Sequence, residues 1–288
     1  MLDPRLFTAL QFGAEIREAV PAWLVPLFVF ITRLGSVAFF LVVFVLDYWY
    51  RNHRRGAHAI SLALGGMALI VALKALFAVP RPPDSVNLIP ADGYSFPSGH
   101  ATGSTIAYGL LAYDLDVGSR RARYAGASVL IVLISLSRVV LGVHFVQDVV
   151  AGMIIGVTFL AVAISLTGHD PRPGFWLSLG IGVVAAVVSG ASHDGVAVLG
   201  ATLGAVAAWE VLDSVPSVET RHRKTLLAGG LPLLAGLGYV STRPGLELPL
   251  VFVLNVALTA GILLAPALVE RVDGLRPSGR VRSDSGAK

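Results

Sequence analysis

The chain has 288 residues, 55% of them hydrophobic and only 14% charged, with a mean hydropathy of +0.75. Soluble domains carry about 25% charged residues, so a soluble globular protein is excluded and a polytopic helical membrane protein is indicated. With no cysteine in the sequence, disulfides, thiolate nucleophiles and Cys-ligated metals are excluded. The net charge of +4 reads as cationic loops facing anionic lipid rather than as nucleic-acid binding.

Residues 1–20 interleave Leu2, Leu6, Phe7, Leu10 and Ile16 with Asp3, Arg5, Glu15, Arg17 and Glu18, the pattern of a helix lying in the interface. The start lacks the charged segment and cleavage site of a signal peptide, so the spans are expected to direct insertion themselves. Pro21 and Pro26 bracket the short apolar stretch 22–32, and the run 36–50 ends in the interfacial aromatics Tyr48, Trp49 and Tyr50. An interfacial helix followed by a span fits 22–50 better than one long helix, which would bury Arg33. Further spans are expected near 58–79, 98–114, 123–142, 145–166, 174–191, 195–212, 226–241 and 248–269, each close to the length that crosses about 30 Å of hydrocarbon.

The expected organisation is therefore all-α: interfacial helices over 1–35, a core over 36–170, a C-terminal set of about four spans over 171–270, and a polar tail over 271–288. The tail is Arg-rich and reads as disordered. Alternate loops carry Arg51, Arg54 and Arg55; Arg120, Arg121 and Arg123; Arg172; and Arg221, Arg223 and Lys224. The positive-inside rule puts these loops and the tail in the cytoplasm. The remaining polar cluster then falls at the non-cytoplasmic ends of its spans.

That cluster comes in three pieces. Lys74 and Arg81 are two helical turns apart, and Pro80, Pro82 and Pro83 stop the helix near Val79. Alone, the pair is a weak signal, with a snorkelling lysine and an interfacial arginine as the competing reading. Pro97-Ser98-Gly99-His100 precedes a helical run; Ser98 suits a cap, Gly99 allows close backbone approach, and a helix start favours an anion. Alone, His100 reads as a structural hydrogen-bonder. Ser137-Arg138, His144 and Asp148 form the third piece. His144 and Asp148 are i,i+4 at a helix start, so the carboxylate can take one imidazole proton and leave the other nitrogen nucleophilic. Arg138 offers a planar fork for phosphate oxygens. The competing reading is a structural His–Asp pair. Elsewhere, Tyr94 and Phe96 serve either a substrate entrance or loop packing, and His53, His58 and His169 are assigned to cytoplasmic loops.

Residues KALFAVPRP, PSGH and SRVVLGVHFVQD resemble the three signatures of the type-2 phosphatidic acid phosphatase superfamily, over about residues 20–166. That superfamily includes bacterial lipid and undecaprenyl-diphosphate phosphatases, glucose-6-phosphatase and the vanadium haloperoxidases. The resemblance implies an integral-membrane phosphatase acting on a lipid phosphate or polyprenyl diphosphate. In it His144 becomes a phosphohistidine, Asp148 orients His144, and His100 protonates the leaving oxygen. Lys74, Arg81, Ser98, Gly99 and Arg138 would bind the phosphoryl oxygens, with no metal or other cofactor. Two alternatives remain open from the sequence: a lipid phosphotransferase using the same intermediate, and a lipid transporter or flippase that uses the motifs for binding only.

Overall fold

The computed structural model describes residue 15 and residues 19–115, 117–212 and 226–274, and every long regular element among them is a helix. Most of the expected interfacial segment, the Arg221–Lys224 run and most of the polar tail lie outside the described residues. A 3-10 turn leads into α1 (Val25–Arg33). The chain then bends by 45° into α2 (Val37–Tyr50), whose Ser36 cap accepts from Phe39 N at 3.3 Å.

Asn52 caps α3 (His53–Phe77), and Ala78 closes it in the left-handed region at φ 46°. The stop comes slightly before the expected Val79. With Pro80 following, Val79 cannot continue the helix comfortably. α4 (Gly99–Asp114) is capped by Ser98 and α5 (Arg120–Val140) by Ser119. α6 (Val146–Thr167) follows a short loop. α7 (Pro171–Val188) and α8 (His193–Val211) are capped by Asp170 and Ser192. A π turn over Leu226–Gly230 precedes α9 (Leu231–Ser241), and α10 (Leu248–Gly274) is last among the described elements.

By length and composition, α3, α5, α6, α7, α8 and α10 can cross a membrane, and the bent pair α1–α2 adds a seventh if it is one broken span. The stretches expected as spans at 98–114 and 226–241 are helical but shorter; α4 has 16 residues. α4 instead sits inside the protein, with Thr102, Ser104 and Thr105 buried. Their hydroxyls bond carbonyls three or four residues back in the chain. Unpaired hydroxyls would be costly in hydrocarbon, and this back-bonding removes the cost.

α3 runs through the middle of the bundle, packed on α2, α4, α7 and α8, while α4 lies between α5 and α6. α8 packs on α10. One apolar core joins Phe44, Trp49, Leu62, Ile106, Ile134, Phe175, Ala205 and Leu263, so α7, α8 and α10 share the interior with the helices that precede them. Two bonds lock α2 to α10. Tyr48 Oη donates to Leu263 O and Trp49 Nε1 to Ile262 O, both at 2.9 Å. Val150, Ile154, Val157 and Leu166 of α6 point outward, as a lipid-facing surface requires.

Chain direction alternates from α3 to α6, so the C-terminal ends of α3 and α5 meet the N-terminal ends of α4 and α6. The opposite end of the bundle is tied by Arg54 to Asp170 (3.4 Å) and by Arg55 Nη1 to the Asp114 carbonyl (3.2 Å). His58 corrects one expectation. Because α3 begins at His53, His58 lies within the helix, 1% exposed and 2.8 Å from Thr167 Oγ1, rather than in a loop.

Candidate active site

All eight residues singled out from the sequence come to one end of the bundle. Local chain chemistry places most of them. α6 starts with Asp148 in its first turn, and Asp148 Oδ2 accepts from the Phe145 backbone N–H at 2.9 Å. The carboxylate therefore caps the helix while reaching back one turn to His144 Nδ1, 3.4 Å away. Gly142 makes the loop before it possible. Its φ is +75°, and a Cβ there would lie 2.1 Å from the Val86 carbonyl oxygen, so only glycine fits.

Arg81 leaves the end of α3 and crosses to His144. Its Nη1 donates to Val143 O at 2.8 Å and lies 3.2 Å from His144 Nε2. A guanidinium has only donors, so Nε2 must be the acceptor and the imidazole proton must sit on Nδ1, facing Asp148. The tautomer is thus set from both sides. Arg81 Nε donates to Asp92 O (3.0 Å) and Gly93 O (3.2 Å), and Lys74 Nζ to Tyr94 O (2.6 Å). The 92–94 loop therefore holds both cations by its carbonyls.

Ser98 begins α4 fully buried, its Oγ accepting from Ala101 N at 3.4 Å and its N–H donating to Asp148 O at 3.1 Å. The second bond joins the start of α4 to the start of α6. Its hydroxyl proton stays available, since the cap uses only a lone pair. A Cβ on Gly99 would meet nothing closer than Ile70 Cγ2 at 3.6 Å and Lys74 Cε at 4.0 Å. Protein packing does not demand glycine there. Burial first, then the charges of Arg138, His144, Lys74 and Arg81, lowers the pKa of His100, in the first turn of α4. Arg138 is 6% exposed, and its Nε has no hydrogen-bond partner among the described residues.

Electrostatics follow from this crowding. Burial first, then the Arg81 and Arg138 charges, hold the His144 imidazole well below its ordinary pKa, with Asp148 pulling the other way. His144 is therefore neutral near pH 7. Burial likewise lowers Arg81, though a guanidinium remains charged. Among the described residues no three His, Asp or Glu side chains group closely enough to hold a metal ion.

Two participants were not legible in the sequence. Ser95 is fully buried; its hydroxyl donates to Asp148 Oδ2 and lies 3.3 Å from His144 Nδ1. Its own N–H is fixed on Val79 O at 2.8 Å. A lone serine three residues before Ser98 carries no motif signal, and only the folded loop reveals it. Thr32 of α1 is the second. Its Oγ1 accepts from Arg138 Nη1 at 2.7 Å, across 106 residues of sequence.

Comparison with known proteins places the segment that carries most of the site in a family. Residues 54–172 match the model of the PAP2 superfamily. Phosphatidylglycerophosphatase B of Bacillus subtilis is 33% identical over 144 residues, covering 46% of this chain and 70% of the relative. Undecaprenyl-diphosphatase of Sulfolobus acidocaldarius is 34% identical over 153 residues, covering 49% and 71%. A crystal structure of the transmembrane PAP2-type phosphatidylglycerolphosphate phosphatase from Bacillus subtilis superposes with a TM-score of 0.52 at 26% identity, over 56% of this chain and 85% of that one. With the three signatures gathered at one end of a helical membrane bundle, the chain belongs to the PAP2 superfamily.

Proposed function

We propose that this PAP2-family membrane phosphatase removes phosphate from a lipid monophosphate or diphosphate through a phosphohistidine on His144, at the non-cytoplasmic edge of the bilayer. The observation that carries the reading is the pinned tautomer of His144. Arg81 marks Nε2 as the lone-pair nitrogen, while Asp148 and Ser95 face the Nδ1 proton. Such an imidazole is neutral, oriented and nucleophilic.

Nε2 attacks the terminal phosphorus, and the bond to the leaving oxygen breaks, the lipid oxygen of a monophosphate or the bridging oxygen of a diphosphate. His100, protonated as the anionic substrate offsets the cations around it, supplies the proton that oxygen needs. The phosphorylated ring is cationic, and Asp148 balances that charge. Water then attacks phosphorus and gives its proton to His100; the P–N bond breaks and the electron pair returns to Nε2. Lys74, Arg81, Arg138, Ser98 Oγ and the Gly99 N–H surround the phosphoryl oxygens and stabilise the transition state. The space at Gly99 supports close approach of an anion. Leu76 and Phe77, 63% and 52% exposed at the end of α3 beside Lys74, give an acyl or prenyl tail an apolar surface to follow. The Arg-rich loops at the other end support a non-cytoplasmic site by the positive-inside rule.

The test is a panel of phosphatidic acid, phosphatidylglycerophosphate and undecaprenyl diphosphate on detergent-purified protein, with free phosphate as the readout. His144→Ala is expected to lower turnover by at least about 10³-fold and to carry no acid-labile phosphate after quenching. Near-normal turnover in that variant refutes the nucleophile.

A further inference from the structure

The bend between α1 and α2 lies outside residues 54–172, which match the family model, yet it docks directly on the site. Leu34, Gly35 and Ser36 make a tight turn, each N–H bonding a carbonyl three residues back at 3.0–3.1 Å. Tyr108 Oη of α4 donates to Leu34 O at 3.2 Å. A Cβ on Gly35 would lie 2.5 Å from Ile134 Cγ2 and 3.3 Å from His100 Cδ2. One turn back, Thr32, 6% exposed, accepts from Arg138 Nη1 at 2.7 Å. The bend thus touches two of the residues proposed to do the chemistry, on two different helices.

The guanidinium is planar and turns as a unit about its stem. One short bond from Nη1 to a buried hydroxyl fixes that rotation, and with it the direction of Nε. Arg138 Nε is a buried donor that finds no partner among the described residues. A buried unpaired donor is costly, so a site built to leave one is built for an acceptor that arrives, here a phosphoryl oxygen. We propose that Thr32 is a positioning residue for Arg138, and that the α1–α2 bend is a wall of the active site which aims the Arg138 fork and confines His100.

The inference rests on the phosphatase reading, and the experiment separates the two. Wild type, Thr32→Val and Thr32→Ser are purified in detergent and assayed for phosphate release, for inhibition by orthovanadate as a phosphoryl-transfer analogue, and for melting temperature. Valine keeps the shape and removes the acceptor. Thr32→Val is expected to weaken vanadate inhibition and raise KM by about tenfold, the worth of a charge-assisted hydrogen bond. Thr32→Ser is expected to restore both to within about threefold and to melt with wild type, whereas Thr32→Val, which leaves Arg138 Nη1 without its acceptor, should melt somewhat lower. Gly35→Ala, which clashes with Ile134 Cγ2 and presses on the His100 ring, is expected to lower kcat more than it raises KM. An active wild type with Thr32→Val indistinguishable from it overturns the inference alone. So does a Thr32→Ser variant as impaired as Thr32→Val. A wild type that releases no phosphate from any lipid overturns the phosphatase reading and the inference with it.

Discussion

Replacing Ser95 by alanine isolates the part of the site that no motif announces. The Ser95 hydroxyl donates to Asp148 Oδ2, which also accepts from Phe145 N at 2.9 Å and faces His144 Nδ1 at 3.4 Å. Alanine keeps the Ser95 N–H bond to Val79 O and removes one hydrogen bond to a buried carboxylate, worth about 1.5–3 kcal/mol. The carboxylate matters most when phosphorylation makes the His144 ring cationic, so the loss falls on the transition state. At about 1.4 kcal/mol per factor of ten, kcat should fall about 10- to 100-fold. KM should change little, because the Ser95 hydroxyl meets Asp148 Oδ2 and the Nδ1 side of His144 rather than the attacking Nε2. The assay is phosphate release from the best lipid of the panel, with a melting curve to show that the bundle survives. A kcat within twofold of wild type refutes the reasoning. So does a loss that appears wholly in KM.

Two other expectations come from the geometry. The lowered pKa of His144 keeps its lone pair free as the pH falls through the ordinary imidazole value. The single-turnover rate of phosphoenzyme formation should therefore show no decline as the pH falls below about 6.5, because His144 stays neutral while the proton donor His100, whose pKa burial also lowers, gains its proton. An acid limb at about 6.5 or above would show an unperturbed imidazole. Gly142→Ala forces a Cβ to 2.1 Å from Val86 O at a positive φ, which costs at least about 1–3 kcal/mol in backbone strain alone. The variant should melt below wild type in detergent and lose activity as the His144 loop shifts; an unchanged melting temperature would mean that the loop is not held as described.

The sequence by itself determined the class of molecule and the eight residues that meet. Its hydropathy demanded membrane helices, and its prolines, caps and i,i+4 spacing are chemistry between near neighbours, which the local backbone expresses wherever it folds. Asp148 capping α6 while facing His144 is such a case. Where α3 would begin was less legible, because the Asn52 cap outweighed the polar stretch over 51–58. Only the tertiary structure brought Ser95 to Asp148, Thr32 to Arg138 and Tyr48 to Leu263, pairs 53, 106 and 215 residues apart. A serine or threonine hydroxyl is chemically ordinary. What makes it part of a site is the partner that packing places within hydrogen-bond reach, and no periodicity along the chain encodes that partner.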